Sequence, residues 1–154
     1  MKSLNFKQKL AEDIKLAIAY QQKDRLRALQ SLGALLSLEE RRKKKDTLTD
    51  DEIVRLLLKT LERKKIAIET YRKQRREVLV KIESDELAVI QQYLPKQLSE
   101  KEICEIVDRV IARISVQGMQ DVARVVRIAK EEIGQGARGR VILRIVREQL
   151  NNSL

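Results

Sequence analysis

A single proline, Pro95, interrupts 154 residues whose apolar side chains otherwise recur every three or four positions. Proline cannot continue a helix, and it disfavours helical geometry at the residue before it, here Leu94. A helix face carrying Leu87, Ile90 and Leu94 therefore stops at this point. Ser99 follows, with Glu102 three residues on, the spacing of a capping box that opens a new helix. The pattern predicts two helical units meeting at Tyr93, Leu94, Pro95, Gln97 and Leu98, read here as an interdomain hinge. The expected domains are 1–94 and 95–154.

The remaining punctuation is sparse. Five glycines and 3% aromatic residues leave little material for tight β-turns or aromatic sheet packing, and 43% hydrophobic residues suffice for a core. The expected fold is all-α, with an N-terminal helical domain of about four helices and a small C-terminal three-helix domain. The first helix spans about 5–21, and the second, capped by Asp24, about 25–44. Gly33 sits inside the second helix, where the expected reason is close approach of a neighbour. Thr49, with Glu52 three residues later, opens a third helix that runs to about Lys73. Lys64 and Lys65 interrupt its apolar stripe and are expected to lay their stems on the core with the ammonium groups in water. A fourth helix, about 76–93, has a weak point at Ser84-Asp85. The last three helices are expected near 100–114, 119–133 and 140–150, with Met119 on the apolar face of the sixth.

Charge narrows the partners. Lys and Arg number 33 against 23 Asp and Glu, giving net +10. Such a field attracts polyanions and weakens with salt. Nucleic acid is the first candidate partner and an anionic membrane surface the second, against the plain reading of a solvated basic surface. No apolar run is long enough to span a bilayer. The chain therefore reads as cytoplasmic, with no membrane partner. The runs Arg41–Lys45 and Arg72–Arg76 fall at helix ends, where exposed carbonyls favour cations whether or not a polyanion is bound.

The available chemistry is narrow. With no histidine, no Ser-His pair or His metal site can be built. One cysteine, Cys104, cannot supply a zinc thiolate set and reads as packing. The acid pairs Asp50-Asp51 and Glu131-Glu132 suit helix starts and surface better than a metal. No catalytic residue, metal or cofactor is therefore expected. The loop Gly134-Gln135-Gly136-Ala137-Arg138-Gly139 lacks the strand and the Gly-Lys-Ser/Thr of a nucleotide loop. It reads as an inter-helix turn or a contact to a nucleic-acid phosphate. Arg124, Arg127, Lys130, Arg138, Arg140, Arg144 and Arg147 are the candidate RNA-binding residues. Their polar faces would form one patch, in which each guanidinium can grip phosphate oxygens with two N–H groups. Few aromatics are available for base stacking, so a folded RNA suits the patch better than a single strand.

The segment from Glu86 to Ser99, with its Tyr93-Leu94-Pro95-Lys96-Gln97-Leu98 core, resembles the junction of the GatB/YqeY family, and of the stand-alone YqeY-like proteins in particular. The Leu48-to-Glu52 helix start, Asp121 and Ala137-x-Gly139-Arg140 support the resemblance over nearly the full chain. It departs from the family pattern at Ala123, Arg127, Glu131 and Arg138. The resemblance implies an all-α fold related to the helical and tail region of a tRNA-dependent amidotransferase subunit. It also implies a family label of carbon–nitrogen ligase activity with glutamine as amido donor. It makes tRNA, or another structured RNA, the implied partner, with an amidotransferase or other protein as a second. The residues show no independent active site for such a reaction. A protein–protein adaptor with a solvating basic surface is the alternative reading.

Overall fold

The computed structural model describes residues 5–152 as seven α-helices and two short 3-10 turns, with no strand among the described residues. The chain divides into two compact units, Met1–Leu94 and Pro95–Leu154. No helix of the described residues is long and apolar enough to cross a membrane.

The first unit contains α1 (Phe6–Ala19), α2 (Lys23–Lys43), α3 (Asp50–Lys73) and α4 (Glu77–Tyr93). Helix α1 packs on α2, and α4 packs on both α2 and α3. Leu29, Leu57 and Ile90 are fully buried at the centre, with Phe6, Leu10, Leu32 and Leu36 around them. Each such side chain contributes roughly 1.5–3 kcal/mol through burial. Gly33 lies against α1, where an added Cβ would sit 3.5 Å from Leu10, an ordinary contact.

Starts and stops of these helices have different origins. Helix α3 opens on the expected capping box: the Glu52 N–H donates to Thr49 Oγ1, and the Thr49 N–H donates to Glu52 Oε1. Three helices stop in the same way. Beyond α1, α2 and α3 the chain turns left-handed at Gln21, Lys44 and Arg75, with φ of 55°, 55° and 56°. The next amide then reaches back to the last turn, Gln22 to Ala17, Lys45 to Glu40 and Arg76 to Tyr71. This is the Schellman arrangement, in which glycine is the usual left-handed residue.

Four expectations need correction. Asp24 does not cap α2, because the helix already begins at Lys23 with Gln22 before it. Asp24 instead pairs with Arg27 and with Lys81 of α4. Helix α4 passes through Ser84-Asp85 without a break, because Asp85 is held by Arg27 and Lys81. The Lys64 ammonium does not reach out to water. It sits 3.1 Å from Glu83 and 2.5 Å from Glu86, with all three side chains at most 23% exposed. Lys65 does behave as expected, exposed and loosely paired with Glu62. Met119 is exposed, in a 3-10 turn (Met119–Asp121) ahead of the sixth helix.

The second unit contains α5 (Glu100–Arg113), α6 (Val122–Ile133) and α7 (Gly139–Asn152), each packed on the other two. Helix α5 opens on the expected Ser99–Glu102 box. Val107, Val110, Val125, Ile142, Val146 and Leu150 are fully buried between the three helices. Val125 lies at the centre of this core.

Candidate nucleic-acid interface

The arginines of α6 and α7 lie opposite the faces that carry Val125, Ala129, Ile142 and Val146, so core packing turns them outward. Arg140, Arg144 and Arg147 share one side of α7 because positions three and four apart are neighbours. Their local surroundings separate the seven candidates.

Lys130 is a structural cation. Its Nζ donates to the carbonyls of Gly134 (2.7 Å) and Ala137 (3.1 Å), closing the end of α6 and the following turn. The glycine-rich loop is thereby an inter-helix connection whose carbonyls are already engaged. Arg124 reaches the Ser115 carbonyl at 2.7 Å and Asp121 at 3.5 Å. Arg144 ties α7 to α5 through Glu100 and also meets Glu148 at 3.3 Å. Its hydrogen bonds to these two carboxylates, Glu100 foremost, raise its pKa further. Arg127 has a loose contact to Glu131 at 3.7 Å, both side chains being well exposed. Arg138, Arg140 and Arg147 pair with no carboxylate among the described residues, and Arg140 and Arg147 are exposed. Exposed ion pairs of this kind are weak, so Arg127 can be redirected to a phosphate at little cost.

The junction residues fall into separate surroundings. Tyr93 and Leu94 belong to the core of the first unit. The Tyr93 hydroxyl donates to Asp13 Oδ2 at 2.5 Å, and Lys9 lies 4.5 Å from the ring centroid. Burial, and then the Asp13 acceptor, push the Tyr93 pKa well up. Gln97 and Leu98 belong to the second unit. The Gln97 amide donates to the carbonyls of Pro95 and Gln135, and the Leu98 N–H donates to Gly136 at 2.7 Å. A Cβ at Gly136 would meet Leu98 Cγ and the Lys96 carbonyl at 3.3 Å, a tight contact that favours glycine there.

Cys104 is half-buried. Burial, then the carboxylates of Asp108, Glu100 and Glu148, push its thiol up, away from the thiolate a nucleophile requires. Among the described residues no group of three or more Cys, Asp or Glu side chains could hold a metal. Glu131 and Glu132 meet Arg127 and Arg113 instead.

The helices and their surface define a class of protein: all-α, in two compact units, with net charge +10 and a row of outward arginines. Within that class, the chain belongs to the family described as Yqey-like protein, which matches residues 7–150. No curated protein matches it.

Proposed function

We propose that this protein binds structured RNA, tRNA foremost, in association with glutamine-dependent tRNA amidotransferase function, and performs no catalysis of its own. The observation that carries the reading is the set Arg138, Arg140 and Arg147, at and beyond the start of α7 and without ion pairs among the described residues, in a chain of net charge +10. Arg127 extends the set, being exposed and loosely held. A phosphate backbone releases its counterions on meeting such groups, so binding falls steeply with salt. The raised thiol pKa of Cys104 and the lack of histidine support a non-catalytic role.

The test is fluorescence anisotropy with labelled unfractionated tRNA across a salt series, comparing the full chain with Arg138→Gln/Arg140→Gln/Arg147→Gln. Weaker binding and a shallower salt slope are expected, and unchanged binding overturns this placement. Arg144 is left intact because its loss would also break the contact to Glu100 in α5. Association with amidation is tested by adding the protein to an amidotransferase that lacks its helical tail. Restored tRNA amidation supports it, and no restoration counts against it. A protein adaptor is the second reading, supported by the exposed Leu16, Ile18 and Tyr20 at the end of α1. Recovery of one defined protein after nuclease treatment would favour the adaptor.

A further inference from the structure

The two basic runs of the first unit look alike in sequence but differ in what surrounds them. At the end of α2, Arg42 is held by Glu39, while Lys43 and Lys45 both close on Glu52 at 2.9 and 2.8 Å. Three of its five cations are thus engaged by two carboxylates, while Arg41 and Lys44 are exposed and pair with none among the described residues. At the turn between α3 and α4, Arg72, Lys73, Arg75 and Arg76 are all exposed, and none pairs with a carboxylate among the described residues. The neighbouring acids Glu69 and Glu77 leave the corner net positive. Arg72, Arg75, Arg76, Glu77 and Val80 line an open cleft of about 350 Å³.

The corner is also well defined. The Arg76 N–H donates to the Tyr71 carbonyl at 2.9 Å and the Arg75 N–H to Arg72 at 3.0 Å, so the backbone carrying the guanidinium groups is fixed. Ile68, buried one turn earlier, lies outside the main cluster of the unit. Helix α2 begins opposite Lys81, so this end of the α3–α4 pair is held mainly by its own two helices. The carbonyls ending α3 account for Arg72 and Lys73. They do not account for Arg75 and Arg76, which lie beyond the helix.

We infer that the α3–α4 corner is a second phosphate-contact surface, taking the phosphodiester backbone of a structured RNA through Arg72, Arg75 and Arg76. The inference rests on the RNA-binding reading above and adds a site in the first unit. Forked guanidinium groups on a fixed turn suit phosphate oxygens, and although Glu77 lines the same cleft, none of the three is paired with a carboxylate among the described residues. The contacts are to backbone and carry no base specificity.

Arg75 supplies an unusually clean test, because its left-handed φ of 56° suits glycine better than arginine. Arg75→Gly removes a charge while relaxing the turn, so its melting temperature should equal or exceed that of the unaltered chain. With a log–log salt slope of about 0.7–0.9 per phosphate contact, losing one contact should weaken tRNA binding about five- to eightfold at 0.1 M salt. Arg72→Gln/Arg75→Gln/Arg76→Gln should weaken it more than about a hundredfold and lower the slope by about 2 or more. The assay runs in parallel with the Arg138/Arg140/Arg147 variant and with vesicles containing anionic lipid. If the corner variants bind tRNA like the unaltered chain while the α7 variant does not, the corner proposal falls and the RNA reading stands. If the unaltered chain binds no tRNA, both fall. If it binds only vesicles, and the corner variants lose that, the corner serves a membrane surface and the proposal is overturned.

Discussion

Replacing Lys64 with methionine should destabilise the first unit far more than its place in a charged stretch suggests. The Lys64 Nζ bridges Glu83 and Glu86, and its side chain is only 15% exposed. Lys64 and Glu86 line a cavity of about 60 Å³ with Ala28, Leu32, Thr60 and Ile90. Lys64→Met keeps the length of the side chain but leaves two carboxylates facing each other without a cation. Removing one partner of a fully buried pair costs about 3–5 kcal/mol. The acids here retain 23% and 14% exposure, and solvent screens part of the penalty, so about 2–3 kcal/mol is expected. At about 4–8 °C per kcal/mol for a unit of this size, the thermal midpoint of the first unit should fall by roughly 10–20 °C. Lys64→Met/Glu83→Gln/Glu86→Gln should recover most of the loss, because no unpaired charge remains. Burial alone would lower the Lys64 pKa, but its hydrogen bonds to Glu86 and Glu83 outweigh it and raise the value above 10.5. A raised amine pKa means that this stability is complete below about pH 10.5 and fades as pH climbs through the folded-state value. Circular dichroism melts of the three proteins at pH 7, and of the unaltered chain from pH 9 to 12, provide the measurement. A loss below about 0.5 kcal/mol for Lys64→Met, or a triple variant no more stable than the single, would refute the reasoning.

Three further outcomes follow from local geometry. Gly33→Ala should stabilise the first unit by about 0.5–1 kcal/mol in urea denaturation, since helix propensity favours alanine and the new methyl sits at an ordinary 3.5 Å from Leu10. Lys130→Met should cost the second unit about 1–3 kcal/mol by stranding the Gly134 and Ala137 carbonyls in a partly buried turn, read by the same titration. Lys45, the Thr49 N–H and Lys43 hold the Glu52 carboxyl far below its usual 4.5. A depressed carboxyl pKa stabilises above about pH 4.5 and loses that effect as pH falls. The melting temperature advantage of the unaltered chain over Glu52→Gln should therefore shrink between pH 5 and pH 2.

Where helices begin was legible when a side chain does the work. Thr49 with Glu52, and Ser99 with Glu102, form both bonds of the reciprocal cap at the spacing read from sequence. Where the first three helices end was read to within two residues, although the chain places Gln21, Lys44 and Arg75 in the left-handed position where glycine is usual. Of the candidate interface, the outward placement of the arginines followed from helical period, but their partners did not. Arg144 is engaged by Glu100, forty-four residues away, and Lys64 by acids on the next helix. Such pairings depend on which helix lies alongside, and a period along one helix carries no trace of its neighbour. The surroundings of Lys130 were hidden for a related reason: a lysine in the last turn of a helix can fold onto the carbonyls of the turn that follows.

The bond from the Leu98 amide to Gly136 has a practical use. Leu98 lies outside every helix, where amide protons ordinarily exchange with solvent within seconds, yet this one is locked to the turn between α6 and α7. Its deuterium uptake should track opening of the three-helix unit as a whole, giving a single reporter, resolvable by NMR, for whether that unit tightens when a ligand is added.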